Sequence, residues 1–220
     1  MDILLSPIEV RILGALIEKE LATPQYYPLS LNSLVNACNQ KSNRDPVMSL
    51  DEAAVSGALD QLIKKKLAWR VSTTGNRVLK IEHDIKSIRQ FTLKEVSLLC
   101  ELFVRGPQTL GELRTHTARF CKFLSLDEVN DVIQGLIGGD DGAYVQELER
   151  ELGRREKRYA HLFSGEVVVD TESREKVDTY TINTIDEAKR VDALEVEVAR
   201  LNDELDRMKE EFNEFKKQFE

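Results

Sequence analysis

The chain has 220 residues, of which 41% are apolar and 32% charged, and a net charge of −8. That length admits one large domain or two small ones, with enough apolar material for packed cores under a wet surface. No apolar run approaches the roughly 18 residues of a membrane span, and nothing before Ser6-Pro7 resembles a signal peptide. The three cysteines, Cys38, Cys100 and Cys121, are odd in number and lack CxxC spacing, so a cytoplasmic protein with buried, reduced thiols is expected.

Taken in chain order, the elements occur twice. Ser6-Pro7-Ile8-Glu9-Val10 opens a helical pattern carried by Ile12, Leu13, Leu16 and Ile17. Ser6 and Glu9 have capping-box spacing, in which a hydroxyl accepts from the third backbone N–H and the glutamate reaches back. Ser30-Leu31-Asn32-Ser33-Leu34 opens a second helix, and Ser49-Leu50-Asp51-Glu52 a third, again with capping-box spacing. Val55, Leu59, Leu62 and Ile63 line one face of that third helix. The period then changes from helix to strand. Leu67 to Ser72 and Arg77 to Ile81 read as a hairpin about the turn residues Thr73-Thr74-Gly75-Asn76.

The same order returns from Thr92-Leu93-Lys94-Glu95-Val96. Thr109-Leu110-Gly111-Glu112-Leu113 starts the next helix, and Ser125-Leu126-Asp127-Glu128 repeats the earlier tetrapeptide. Its stripe of Val129, Ile133, Leu136 and Ile137 matches that of the first copy. Ala143 to Leu148 and Tyr159 to Phe163 are the predicted strands, with a tip from Glu149 to Arg158. Three helices and a hairpin, used twice, predict a mostly α (α+β) fold of two tandem winged helix-turn-helix domains, residues 1–88 and 89–165.

At Asn39-Gln40-Lys41-Ser42-Asn43-Arg44-Asp45-Pro46 the sequence resembles the YceH-like family of uncharacterised bacterial proteins. Leu5 to Leu16, Glu18-Lys19, Tyr27 to Asn32, Arg105 to Thr109 and Gly111 to Arg114 carry the same resemblance, which covers residues 1–165. It implies a tandem winged-helix fold, and it implies no reaction and no defined ligand.

Residues 166–187 read as a polar linker and 188–220 as a coiled-coil helix. Val191, Leu194, Val198, Leu201, Leu205, Met208, Phe212, Phe215 and Phe219 are spaced alternately by three and four, the pattern of a heptad seam. Parallel pairing sets Glu204 against Lys209 and Glu211 against Lys216, so a parallel homodimer is expected, its helices about 44 Å long. The alternative is an amphipathic helix that packs back on its own domains.

The acidity is local. Residues 1–90 hold 12 basic and 10 acidic side chains and residues 91–165 hold 10 and 12, whereas residues 166–220 hold 9 and 17. A low isoelectric point therefore does not exclude nucleic acid, whose binding depends on local cations. Candidate phosphate contacts are Lys41 and Arg44 between the second and third helices, Arg77 at the first hairpin, and Arg150, Arg154, Arg155, Lys157 and Arg158 at the second. Arg44 could instead pair with Asp45, and Lys64-Lys65-Lys66 suits a helix C-terminus without any ligand. The third helices begin with Asp51-Glu52 and Asp127-Glu128, which lack the Arg and Asn pairs that read guanine and adenine edges.

Cys38 reads as a core thiol. His83, His116 and His161 are isolated, and Gly138 to Gly142 follows a helix and precedes a strand, the reverse of a phosphate loop. No enzyme, cofactor or metal is expected. Double-stranded DNA is the expected partner, with a protein-interaction module as the alternative.

Overall fold

A computed structural model describes residues 3–72, 78–139, 142–150 and 156–165 of the chain. It is an α+β structure, with six α-helices and two antiparallel two-stranded sheets among the described residues. The first set of elements is α1 (Pro7–Ala22), α2 (Leu31–Cys38), α3 (Glu52–Lys64), β1 (Ala68–Val71) and β2 (Lys80–His83). The second set is α4 (Leu93–Arg105), α5 (Leu110–Thr117), α6 (Leu126–Ile137), β3 (Val145–Glu147) and β4 (Tyr159–His161). The predicted coiled coil lies outside the described residues.

The helix starts show why the sequence folds this way locally. Ser6, Thr92 and Thr109 each accept from the third backbone N–H, and Glu9, Glu95 and Glu112 reach back to complete the box. The Ser-Leu-Asp-Glu tetrapeptides behave differently from each other. Ser125 caps α6 as its spacing predicts, although Glu128 turns to Leu124 and Lys94 rather than to the cap. In the first copy Asp51 is the cap, two residues later than predicted, and it accepts from Ala54 N–H at 2.7 Å. The Asn39 side chain holds both polar groups of Leu50, donating to its carbonyl at 2.7 Å and accepting from its N–H at 2.8 Å. Leu50 is thereby kept extended, and the helix starts after it.

The observed strands are shorter than the predicted ones, and β2 starts three residues later than Arg77. Each hairpin also gains a neighbour that periodicity does not announce. Leu29 and Ile81 exchange backbone hydrogen bonds at 3.0 and 2.7 Å, as do Gln108 and Tyr159 at 3.0 and 2.8 Å. Leu29 and Gln108 both follow a proline and precede a helix cap, in Pro28-Leu29-Ser30-Leu31 and Pro107-Gln108-Thr109-Leu110.

Both sets feed one hydrophobic core, from Leu5 through Leu16, Leu34, Leu59 and Leu62 to Leu99, Phe103, Ile133, Leu136 and Phe163. Helix α1 is buried without a break from Glu9 to Glu18, because α2, α3 and α4 all pack on it. Its meeting with α4 is close. A Cβ at Gly14 would stand 2.8 Å from Phe103 Cβ and 2.9 Å from Val104 Cγ1, inside any tolerable contact. Leu5 N–H donates to Phe163 carbonyl at 2.7 Å and so ties the start of the first set to the end of the second. Among the described residues, no helix is long and apolar enough to cross a membrane.

Candidate nucleic-acid interface

The winged-helix expectation singles out the outward faces of α3 and α6. On α3 the buried stripe is Val55, Leu59 and Leu62, which leaves Glu52, Ala53, Gly57, Gln61 and Lys64 exposed. Asp60 is engaged by Arg70 at 2.8 Å. On α6 the exposed face carries Asp127, Asp131, Gln134 and Gly135. Carboxylates at the first turn of each helix suit the positive end of its dipole. They also repel phosphate, so neither first turn is itself a phosphate contact.

The predicted cations are distributed unevenly. Lys41 is exposed in the loop between α2 and α3, and Arg150 and Lys157 are exposed beside the second hairpin. Lys157 pairs with Glu147, and Arg158 donates to the Pro107 carbonyl. Arg77, Arg154 and Arg155 lie outside the described residues, as do the dimer positions Val191, Leu194, Val198, Leu201, Leu205, Met208, Phe212 and Phe215. Lys65 bonds Glu9 and the Leu4 carbonyl, at 2.5 and 2.8 Å, instead of facing solvent alone.

Arg44 is the correction. Its side chain is fully buried rather than presented to a phosphate, and its partner is Glu18 rather than the neighbouring Asp45. The guanidinium meets both Glu18 oxygens, at 2.5 and 3.0 Å, and also donates to the Ala37 carbonyl at 2.9 Å. Asn43, at a positive φ of 60°, makes the turn that aims it inward, a backbone region asparagine tolerates better than most residues. A desolvated, doubly bonded guanidinium has nothing left to offer an outside anion.

Around that pair the structure assembles a network in which only Glu101 and Arg105, four residues apart on α4, have a spacing signal. Arg119, after α5, reaches Glu18 at 2.9 Å and Glu101 at 2.7 Å, and Arg105 holds the other Glu101 oxygen at 3.0 Å. Arg105 also donates to the Asn43 side chain. Burial alone would raise the Glu18 carboxyl. The Arg44 hydrogen bond and charge, joined by Arg119, outweigh it and hold Glu18 below the usual carboxylate range. Glu18 comes from the first set of elements and Glu101, Arg105 and Arg119 from the second, so the network links the two sets. Its chemistry is structural: every carboxylate is saturated by guanidinium.

The remaining reactive groups offer little chemistry. Burial pushes the Cys38 thiol up to about 12 and Cys100 well above its usual value, leaving both as inert thiols at neutral pH. His83 Nε2 lies 2.7 Å from Glu20 Oε2, and His116 Nδ1 lies 2.6 Å from Gln108 Oε1. Among the described residues, no three His, Cys, Asp or Glu side chains stand together as metal ligands would.

Known proteins agree with the resemblance carried by residues 39–46. The chain is 46% identical to a UPF0502 protein of Geobacter sulfurreducens over 221 residues, covering all of both chains. It is 44% identical to a UPF0502 protein of Aeromonas hydrophila over 209 residues, covering 93% of this chain and 94% of that one. A third, from Aeromonas salmonicida, is 50% identical over 171 residues, covering 76% of this chain and 78% of its own. Residues 5–154 match the family profile described as "Protein of unknown function, DUF480". With relatives of this identity along most of its length, the chain belongs to the DUF480/UPF0502 family of bacterial proteins.

Proposed function

We propose that this protein is a non-enzymatic, cytoplasmic DNA-binding protein, possessing two tandem winged-helix domains and acting as a dimer through its C-terminal heptads. One observation carries the reading: the order of three helices followed by an antiparallel hairpin occurs twice, and each hairpin is joined by a third backbone bridge, at Leu29 and at Gln108. In a winged helix the third helix enters the major groove and the hairpin touches phosphate. The outward residues Ala53 and Gly57 are small enough to let α3 lie close to a partner. The phosphate contacts are assigned to Lys41, Arg77, Arg150, Arg154, Arg155, Lys157 and Arg158, with Arg44 withdrawn. Base readout is weak, and affinity comes mainly from phosphates.

Fluorescence anisotropy with a random-sequence duplex tests this on the full-length protein. Binding on the order of micromolar at low salt, falling steeply as salt rises, is expected. Replacing Arg154, Arg155 and Arg158 together by alanine should weaken it. An affinity unchanged by that replacement rejects the second hairpin as a contact. Light scattering should give twice the 25.1 kDa of one chain, and a particle of single mass would reject the heptad dimer.

A second reading has its own support. The first turns of α3 and α6 both present carboxylates, Asp51 and Glu52 in one and Asp127 in the other, which suits a basic protein surface better than DNA. No duplex binding at about tens of micromolar would select this protein-interaction module.

A further inference from the structure

The end of α1, the turn at Pro24–Tyr26 and β2 enclose a depression of about 550 Å³, within the range of ligand sites in general. Its wall carries two cations, Lys19 and Lys80, four hydroxyls from Thr23, Tyr26, Tyr27 and Ser33, and no carboxylate. Residues 1–90 are nearly balanced, with 12 basic and 10 acidic side chains, so a concavity of that composition is a local positive excess. Concave surfaces of one sign also focus their field.

Neither ammonium is well neutralised. Lys80 makes no ion pair with a described residue. Lys19 has Glu18 at 3.7 Å, but that carboxylate already bonds Arg44 at 2.5 Å and Arg119 at 2.9 Å. Tyr27 Oη accepts from His83 N–H at 2.7 Å, which leaves its own proton to donate. Burial keeps that phenol protonated. Tyr26 adds a ring that is 71% exposed. No sequence spacing connects Lys19 with Lys80; the packing of α1 on β2 brings their elements together.

We propose that this depression is a phosphate-binding site, in which Lys19 and Lys80 neutralise the oxyanion and the Tyr26 and Tyr27 hydroxyls donate to its oxygens, the Thr23 hydroxyl being already spent on the Lys19 carbonyl. The phosphate is carried either by the backbone of duplex DNA or by a free phosphorylated molecule of about mononucleotide size. The duplex source rests on the proposed DNA-binding function; the anion site itself does not.

The test is a titration of the full-length, ¹⁵N-labelled protein with inorganic phosphate, against chloride at matched ionic strength. Saturable shifts of the Tyr26, Ser33 and Lys80 amides are expected. The K19Q/K80Q double variant should weaken the response about tenfold or more, and K19R/K80R should retain it. Phosphate shifts that miss these amides, or that survive in K19Q/K80Q, overturn the site. Duplex anisotropy with the same variants then names the source. Weaker duplex binding by K19Q/K80Q assigns the DNA backbone. Unchanged duplex binding beside a lost phosphate response assigns a free ligand and leaves the DNA function standing. A phosphate response in a protein that binds no duplex supports the site and refutes the DNA function alone.

Discussion

At the residue scale, Arg44 shows how one side chain can be read two ways from its sequence neighbours and belong to neither. An arginine among Lys41, Ser42 and Asn43 looks like a phosphate ligand or a partner for Asp45. Its actual partner is Glu18, a helix away, and only the inward turn at Asn43 makes the contact possible. Removing the arginine strands a buried carboxylate, so Arg44→Met should destabilise the protein by about 3–5 kcal/mol. Replacing Glu18 and Arg44 together by apolar residues should cost less than that single change, and equilibrium urea unfolding measures both. His161 makes the complementary prediction about pH. Its imidazole lies against Phe103 and Phe163, Nδ1 has no hydrogen-bond partner among the described residues, and burial pushes its pKa down to about 4. The unfolded chain takes up that proton near pH 6.5, the native state only near 4. The stability is therefore fully present above pH 6.5 and falls as the pH drops towards 4, by up to about 1.4 kcal/mol per pH unit. His161→Phe should flatten that slope. Glu18, whose carboxyl is held low, adds a separate loss at still lower pH.

At the element scale, the two Ser-Leu-Asp-Glu segments make a controlled comparison. Identical tetrapeptides start their helices two residues apart because Asn39 restrains Leu50 in one copy. An alanine at the true cap should cost about 1 kcal/mol. Asp51→Ala and Ser125→Ala should therefore both destabilise, whereas Ser49→Ala and Asp127→Ala should leave the unfolding midpoint nearly unchanged. Thermal denaturation of the four variants decides it. Helix positions and the capping boxes at Ser6 and Thr92 were legible in the sequence, since hydroxyl and glutamate spacing acts locally. The third backbone bridge was not, because Leu29 and Gln108 pair one residue each with Ile81 and Tyr159, and a single residue has no period. The full burial of helix α1 has no sequence signal for a related reason. Its apolar stripe was visible, but burial of Glu9, Arg11 and Glu18 with it depends on what packs around it. The candidate site was the least legible part. Composition alone marks its cations, and composition does not separate an exposed Lys41 from a buried Arg44.

At the scale of the whole molecule, the repeated sets share one compact unit and one hydrophobic core. Helix α1 belongs to the first set, yet one of its faces is completed by α4 from the second, with Gly14 allowing the approach. Unfolding of the full chain should accordingly give one cooperative transition for residues 1–165 by both circular dichroism and Trp69 fluorescence. A fragment of residues 1–88 should lack fixed tertiary structure, because it exposes the α4-facing side of α1 and leaves Glu18 without Arg119. The tight seat of Gly14 against Phe103 and Val104 has a further result for any partner with two points of attachment. With that seam closed, a partner gripping both hairpins, as the proposed duplex would, should meet them at one spacing. A partner whose paired footholds are shifted by half a helical turn keeps one of them and forfeits the other.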